Sequence, residues 1–573
     1  MRGIGRRLAS ITACALLAAC GGGGGGGGNG GPTAQPPPAA APVTASEASR
    51  FLTQATFGPT DASISAVQST GLANWITQQM ALAPTGSHQA YVELRLTQLK
   101  AANANAVLSP NQFYESFWQQ SATGEDQLRQ RVKFALSEMF VISLADPNMD
   151  VRGAASYYDM LGANAFGNYR NILELVSLHP MMGIYLTHLA NQKEDPATGR
   201  NPDENYAREV MQLMTIGLFQ LNTDGTVRTN TQGQALPTYG PDDVAGLAKV
   251  FTGFSWYNPT PTNATTFFGR NRAADATVRS MIAYPFYHST SAKTFLGATI
   301  PASATADPAG DLKVALDTLF NHPNTPPFVS RQLIQRLVTS NPSPAYVGRV
   351  AAVFANNGSG VRGDMAAVVR AILMDPEARD AAVVNSTTFG KLREPVVRLA
   401  NWMRAFNARS ASGGWLMGST SANTSLSQTA LASPSVFNFF RPGYSPPNTR
   451  LGQQNLVAPE FQLVDEVSTA GYLNTLQNAI NIGIGTGQDI TSAYSAETAI
   501  ANDPAALVDR MNLLLMYGTM STTLRNRIVE AVNSVPLPAA TDTNQAQVAS
   551  ARLNRAKLAV LLTMASPEYL TQR

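Results

Sequence analysis

The chain has 573 residues, of which 44% are hydrophobic and only 14% are charged. Globular proteins carry about 25% charged residues, and this low charged fraction excludes coiled coils and acidic disordered chains. Residues 1–19 hold three arginines and no acid, so without them the basic count falls from 41 to 38 and equals the 38 acidic residues. Without residues 1–19 the chain has no net charge, which gives no support to electrostatic binding of nucleic acid.

The first predicted element is an export signal at residues 1–19. Three arginines within the first seven positions precede an apolar run over residues 8–19, which is the order typical of bacterial signal peptides. The segment Leu17-Ala18-Ala19-Cys20 resembles the lipobox of bacterial lipoproteins, in which the peptidase cuts before a cysteine whose thiol carries a diacylglycerol. We therefore expect Cys20 to become the lipidated first residue. An ordinary signal peptide with an incidental cysteine is the alternative.

The next segment, residues 20–45, is predicted to be a lipidated tether. Its run of glycines is flexible, and the proline- and alanine-rich stretch that follows is semi-rigid. The sequence has no window of about 20 apolar residues, so the acyl chains are the expected membrane attachment. Gly21 rather than aspartate follows the lipid site, which by resemblance to Gram-negative lipoproteins favours the outer membrane. Since Cys14 and Cys20 are the only cysteines, we expect no disulfide and no cysteine nucleophile in the mature chain.

Residues 46–573 are predicted to form one large, mostly α-helical domain with few short strands. A polar residue followed by proline predicts helix starts at Asn201, Ser343 and Asp503. Apolar residues at positions 329, 333, 337 and 338 predict another helix, whose opposite face carries Arg331 and Arg336 together with two glutamines. That face is interpreted either as solvated or as a surface that holds a carboxylate or sugar hydroxyls.

Strand signals are few. The best lies at residues 217–227, where Asp224-Gly225 predicts the turn of a short hairpin. Long loops are expected around residues 255–310 and 408–460, and such loops are functional or disordered when they occur in a compact protein. The second loop contains an aromatic group, Phe437, Phe439, Phe440 and Tyr444 near Arg441, that either stacks sugar rings or anchors the loop in the core.

Several segments together resemble the DUF1800 family of exported bacterial proteins. They are RFLTQATFGP (50–59), HPMMG (179–183), ENYARE (204–209), FTGF (251–254), HPNT (322–325), RQLIQR (331–336), SVFNFF (435–440) and VAPE (457–460). The resemblance implies an exported, helical protein of unassigned activity. It also implies a partner, because members are often encoded beside a second exported family, DUF1501, which resembles the alkaline phosphatase and sulfatase group.

The chain departs from the commoner family pattern at two places. Met214 stands where many members have a histidine, and Leu136-Ser137-Glu138-Met139 replaces a Trp-His-Asn-His run. If those histidines bind a metal in other members, this chain lacks them. The five histidines also show no close spacing of the kind that zinc sites use, so no metal site is predicted and no cofactor is identified.

The central ENYARE segment supplies the first candidate site. Asn201 and Glu204 have the spacing of a capping box, and Glu204 pairs with Arg208 at i,i+4, so both have a structural interpretation. Glu209 is not explained in this way, because it lies on a helix that is becoming apolar. The catalytic hypothesis makes Glu204 and Glu209 the acid and base, although residues five apart on one helix are rotated by about 140°. A distant acid, such as Asp243 or Glu394, is an alternative partner.

His288 and Lys293 form the second candidate site. A histidine in a polar loop can act as a general base near neutral pH, and a loop histidine that bonds to backbone is the alternative. In the catalytic hypothesis His288 assists the two glutamates, and Arg208, Arg331, Arg336 and Lys293 bind substrate.

Two functions remain open from the sequence. The first is a cell-envelope hydrolase that acts on a polysaccharide or another envelope polymer through its carboxylates. The second is a non-catalytic lipoprotein that binds a glycan or assembles with a DUF1501-type partner. A deep cleft lined by Glu204, Glu209 and His288 would favour the enzyme, and an exposed apolar or aromatic patch would favour the binding protein.

Overall fold

The computed structural model describes residues 42–261 and 264–573, so the expected signal, Cys20 and most of the tether lie outside the described residues. The first twelve helices are α1 Ala45–Ala55, α2 Asp61–Thr70, α3 Leu72–Ala81, α4 His88–Ala102, α5 Pro110–Thr123, α6 Gln127–Ser137, α7 Val151–Ala163, α8 Tyr169–Leu178, α9 Pro180–Tyr185, α10 Asn205–Gln212, α11 Pro241–Val250 and α12 Ala264–Phe267. The next thirteen are α13 Pro308–Asn321, α14 Thr325–Leu337, α15 Pro344–Ala355, α16 Met365–Met374, α17 Pro376–Arg379, α18 Pro395–Ala405, α19 Arg450–Gln453, α20 Glu466–Asn481, α21 Ser495–Ile500, α22 Pro504–Met516, α23 Thr522–Asn533, α24 Gln545–Met564 and α25 Pro567–Leu570.

The described strands are short and pair only in twos. They are β1 Phe254–Ser255, β2 Ile282–Ala283, β3 Lys293–Phe295, β4 Ala298–Ile300, β5 Lys391–Leu392, β6 Arg409–Ser410, β7 Ile490–Thr491 and β8 Thr571–Gln572. All four pairs, β1 with β2, β3 with β4, β5 with β8 and β6 with β7, are antiparallel. In the β5–β8 pair Lys391 lies opposite Gln572, which ties a strand before α18 to the strand that follows the last helix. The predicted mostly α-helical class is therefore confirmed.

The residues Val43–Arg573 form one compact unit around a continuous apolar core. Phe51 of α1 packs edge-on against Trp75 of α3, with ring centroids 5.3 Å apart. The core also runs through α14 and α15. In α14, Val329, Leu333 and Leu337 are fully buried, as the predicted spacing requires. One apolar core therefore serves most helices of this unit.

Two of the three predicted helix starts are confirmed. Ser343 and Asp503 each accept backbone N–H bonds from the first turn of α15 and α22, and proline occupies the first helical position of both. The predicted turn at Asp224-Gly225 is also present: Asn222 N donates to Thr226 O at 2.8 Å, and Leu221 pairs with Val227. The pairing continues through Thr229 with Ala235 and Phe219 with Pro237, so residues 217–238 form an irregular hairpin.

The third predicted start is wrong, since α10 begins at Asn205 and not after Asn201. Asn191 holds the preceding residues in place: its Oδ1 accepts from Asp203 N at 2.9 Å and its Nδ2 donates to Asp203 O at 3.2 Å. These bonds fix the backbone of Asp203 outside the helix. The expected capping box between Asn201 and Glu204 therefore does not form, and Glu204 flanks α10 without a side-chain cap.

Candidate functional site

The structure does not bring the expected catalytic pair, Glu204 and Glu209, together. Glu204 is about half exposed and pairs with Arg208, also half exposed, at 3.1 Å, as the i,i+4 spacing predicts. Glu209 is buried, and its Oε2 has no hydrogen-bond partner among the described residues. Burial raises the pKa of Glu209, and Arg208 opposes this rise. The Glu204 carboxylate therefore faces solvent, whereas the Glu209 carboxylate lies inside the protein.

His288 is completely buried and not in an open polar loop. Its Nδ1 contacts Thr252 O at 2.7 Å and its Nε2 contacts Asp311 Oδ2 at 2.8 Å. Lys293, in β3, donates to the same Asp311 oxygen at 2.8 Å and to Ser289 O at 2.7 Å. Both ring nitrogens of His288 therefore have partners, and the group joins the backbone just after α11 to β3 and α13 inside the protein. Asp311, which completes it, was not singled out in the sequence.

His188 is another buried histidine, and it makes stability depend on pH. Its ring stacks on Tyr206 at 3.9 Å, and its Nε2 contacts Ser177 O at 2.8 Å. Burial lowers the pKa of His188 to about 4. An unfolded histidine takes up a proton near pH 6.5. The stability contributed by neutral His188 is therefore fully present above pH 6.5 and is lost as the pH falls towards 4.

Both proteins are expected to lose free energy of unfolding when the pH falls from 7 to 5. We expect this loss to be about 2 kcal/mol smaller in the His188→Phe variant than in the parent protein. The measurement is urea unfolding at both pH values. The other titrating groups are present in both proteins, so their contribution cancels in the comparison. Equal losses in the two proteins would contradict the assignment.

Glu204, Glu209, His288 and Arg336 do not line any of five pockets on the described part of the chain. Arg336 was expected on the polar face of α14, but it is buried. Its Nη2 donates to Glu138 O at 3.1 Å and its Nη1 donates to Gln332 Oε1 at 2.5 Å. The part of α14 that carries Arg336 is thus covered by other charged residues instead of by solvent.

Those residues form what we call the buried charge cluster: Arg131, Glu138, Arg336, Lys391, Glu394 and Glu460, all less than 5% exposed. Lys391 is its central cation. Its Nζ lies 2.9 Å from Glu460 Oε1 and 3.6 Å from Glu394 Oε1, and it donates to Arg336 O at 2.8 Å. Arg131 donates to the same Arg336 carbonyl at 2.6 Å.

Glu138 and Glu394 are a carboxyl pair inside this cluster. Burial and the adjacent Glu394 carboxylate raise the pKa of Glu138 well above its usual value. Burial alone would also raise the pKa of Glu394, but Lys391 and a hydrogen bond from Glu138 outweigh it and lower that pKa. Glu138 is therefore the carboxyl of the pair that takes up a proton more readily, and Gln428 Nε2 donates to Glu394 Oε2 at 2.7 Å.

The sequence contained partial signals for this cluster. Arg336 belongs to RQLIQR and Glu460 to VAPE, two segments that carry the family resemblance, and Asn438 of SVFNFF donates to Glu138 Oε1 at 3.3 Å. Glu138 stands in the segment that departs from the family pattern, and Glu394 was considered only as a partner for the ENYARE glutamates. Nothing in the spacing of these residues predicts that they meet.

An open groove lies beside the cluster, and we call it the hairpin groove. It has a volume of about 350 Å³. Its lining residues come from the end of α10, the hairpin, α14 and the loop after Phe437: Gln212, Leu213, Gly217, Leu218, Phe219, Leu221, Val227, Phe328, Arg331, Gln332, Gln335, Phe437, Arg441, Pro442 and Gly443. This is where the structure places Arg331, the one predicted binding residue that lines a described pocket.

Buried amides hold the walls of the hairpin groove in place. Asn324 Nδ2 donates to Ile216 O and Phe219 O, both at 2.8 Å, and its Oδ1 accepts from Leu221 N at 2.9 Å. On the other wall, Gln335 Nε2 donates to Pro442 O at 3.2 Å. The hairpin and the 437–443 loop are therefore both fastened to α14, so the groove exists before any ligand binds.

The hairpin groove is apolar with unpaired positive charge. Leu218, Phe219 and Val227 are 50%, 45% and 44% exposed. The Arg331 side chain has no hydrogen bond or ion pair among the described residues, and burial lowers its pKa. Arg441 stacks on Phe437 at 4.6 Å, also without an acidic partner. No aspartate or glutamate lines the groove, so its charge favours a ligand that carries a carboxylate.

The remaining aromatic residues of the long loop play a different role. Phe440 is buried in the protein interior, whereas Phe439 and Tyr444 are partly exposed and do not line the groove. Phe437 alone of this group lines the groove, with Arg441. The aromatic group therefore anchors its loop and contributes one ring and one cation to the surface.

Within residues 42–261 and 264–573, no set of three or more acidic or histidine side chains is arranged to hold a metal ion. None of the helices in that part of the chain combines the length and the apolar character needed to cross a bilayer.

Comparison with known proteins finds a matching family. The sequence profile described as "Protein of unknown function (DUF1800)" matches residues 50–571, nearly the whole of the described unit. No curated protein and no solved structure matches the chain.

Proposed function

Since the chain belongs to the DUF1800 family, which carries no assigned activity, we propose from the site itself that it is a non-catalytic assembly protein of the cell envelope. The hairpin groove is its docking site. The ligand is an apolar segment, bearing a carboxylate, of an exported partner protein. The observation that carries the proposal is a preformed groove with exposed Leu218, Phe219 and Val227 around an unpaired Arg331.

Aliphatic side chains favour a protein ligand over a sugar. Sugar sites depend on flat rings and many hydrogen-bonding groups, whereas this groove exposes leucine and valine beside phenylalanine. Interfaces between proteins bury such residues together with arginine. Unpaired exposed apolar side chains of this kind mark interaction sites. The DUF1501-type protein that the family resemblance implies is the partner we propose.

The hydrolase hypothesis has less support. Its three central residues do not line a shared pocket, and Glu204 and His288 each have a structural partner. The buried charge cluster does contain a carboxyl pair, but its members are less than 5% exposed, so no substrate reaches them. We assign the cluster the role of holding α14 and the 437–443 loop in position behind the groove.

The experiment that tests the function is the affinity of residues 43–573 for the DUF1501-type protein of the same organism, measured by calorimetry. The proposal predicts a saturable complex that the Phe219→Ser variant weakens. In parallel, the same domain is screened for turnover and binding of polysaccharides, with Glu204→Gln and Glu209→Gln as controls. Polysaccharide turnover that either glutamate variant abolishes would replace the proposal with the hydrolase function.

We also propose that the protein is held at the outer membrane through lipid on Cys20. The Cys20→Ser variant is expected to lose labelling by radioactive palmitate and to leave the membrane fraction of cells. The measurement is palmitate incorporation, with Cys14→Ser as the matched control because Cys14 lies inside the removed signal. Unchanged labelling of Cys20→Ser would contradict the lipid anchor.

A further inference from the structure

A second exposed surface lies on the long loop between α11 and α13, on residues that the proposed function does not use. Phe286 is 75% exposed, the most exposed phenylalanine of the described residues, and Phe268 is 50% exposed. Tyr287 lies between them, with ring centroids 5.0 Å from Phe286 and 5.7 Å from Phe268. The three rings therefore form one continuous aromatic surface.

Basic side chains surround these rings. Lys193 Nζ lies over the Phe286 ring at 5.0 Å. Arg272 lies over Trp256 at 4.6 Å, and Trp256 packs against Gly269, the residue next to Phe268. Arg270 is exposed on the same turn. Cations and aromatic rings are thus interleaved across the surface.

Two of the acids near this surface are in ion pairs, and a third is hydrogen-bonded by a serine. Asp275 pairs with Arg279 at 3.4 Å and Asp195 with Arg200 at 4.0 Å. Glu194 accepts a hydrogen bond from Ser289 at 2.9 Å. Lys193, Arg270 and Arg272 have no ion pair among the described residues. Three cations without an ion pair therefore face one such acid, Glu194, so the surface presents an excess of positive charge next to exposed aromatic rings.

We infer that this aromatic and basic surface is a membrane-docking site for anionic phospholipid. Phenylalanine rings enter the boundary between headgroups and acyl chains, and lysine and arginine remain at the level of the phosphates. A phospholipid phosphate supplies the negative charge that the three unpaired cations lack. Such docking would orient the domain on the bilayer and does not depend on the hairpin groove.

Vesicle flotation of residues 43–573 tests the inference; these residues form the compact unit with its own core. The domain is expected to float with vesicles of phosphatidylethanolamine and phosphatidylglycerol and not with vesicles of phosphatidylcholine. The double variant Phe268→Ser/Phe286→Ser is expected to reduce the bound fraction about tenfold, and added salt to weaken binding further.

Two controls make the result specific. Phe461→Ser/Val464→Ser removes exposed apolar side chains elsewhere on the domain and should leave flotation unchanged. Arg331→Glu, in the hairpin groove, should also float normally, so a failure of the proposed function does not affect this test. Absence of flotation with anionic vesicles, or equal flotation of the Phe268→Ser/Phe286→Ser variant, would overturn the inference and leave a protein partner as the ligand of this surface.

Discussion

The Lys391→Met variant is expected to lose about 3–5 kcal/mol of free energy of unfolding. Lys391 is the only lysine in the buried charge cluster and contacts both Glu460 and Glu394. Methionine has a similar volume but leaves two buried carboxylates without their nearest cation. It also removes the hydrogen bond to Arg336 O. The measurement is urea unfolding at neutral pH.

Glu138→Gln is the matched control in the same cluster. Burial and the Glu394 carboxylate raise the pKa of Glu138 well above its usual value, so Glu138 is the carboxyl that is more readily neutral. Glutamine is neutral and has an amide that can donate to Glu394. We expect a loss of less than about 1 kcal/mol for this variant. Similar losses for Lys391→Met and Glu138→Gln would contradict the raised pKa of Glu138 and the central role of Lys391.

The Arg331→Glu variant is expected to bind the partner protein at least about 30-fold more weakly. Arg331 is a largely desolvated cation without an acidic partner among the described residues, so a partner carboxylate is its natural counter-ion. The reversed charge would repel that carboxylate in an apolar groove, where the repulsion is poorly screened. The measurement is the dissociation constant by calorimetry.

Arg228→Glu is the control for this reversal. Arg228 is exposed on the same hairpin, donates to Gln220 Oε1 and does not line the groove. Arg228→Glu changes the net charge by the same amount as Arg331→Glu but lies outside the groove. We therefore expect it to weaken binding less than about threefold. Equal effects of the two variants would mean that the partner senses overall charge and not the groove.

Local signals in the sequence were sufficient to predict much of the fold. Ser343 and Asp503 cap their helices through bonds within the first turn, and the Asp224-Gly225 turn closes over a few residues. The prediction of a helix start after Asn201 was wrong because the Asn191 side chain, from an earlier segment, binds the backbone of Asp203. Local patterns predict an element only where no such distant contact competes with them.

The buried charge cluster and the hairpin groove were less predictable, because their residues meet through tertiary packing. Arg336 lies on the polar face of a helix, and that pattern ordinarily indicates solvent. Here the polar face packs on Glu138, Glu394 and Lys391, which come from distant segments. Arg331, five residues earlier and therefore rotated from Arg336 by about 140° around the helix axis, does reach a surface groove. Helical periodicity cannot distinguish a face buried against charges from one exposed to water.

The most direct test of the docking proposal is site-specific photo-crosslinking in living cells. A photoreactive amino acid replaces Phe219, which lines the hairpin groove, or Val107, which is 80% exposed and lies outside it. We predict that position 219 crosslinks to the DUF1501-type protein and that position 107 does not. Equal crosslinking from the two positions, or none from position 219, would contradict the groove as the site of assembly.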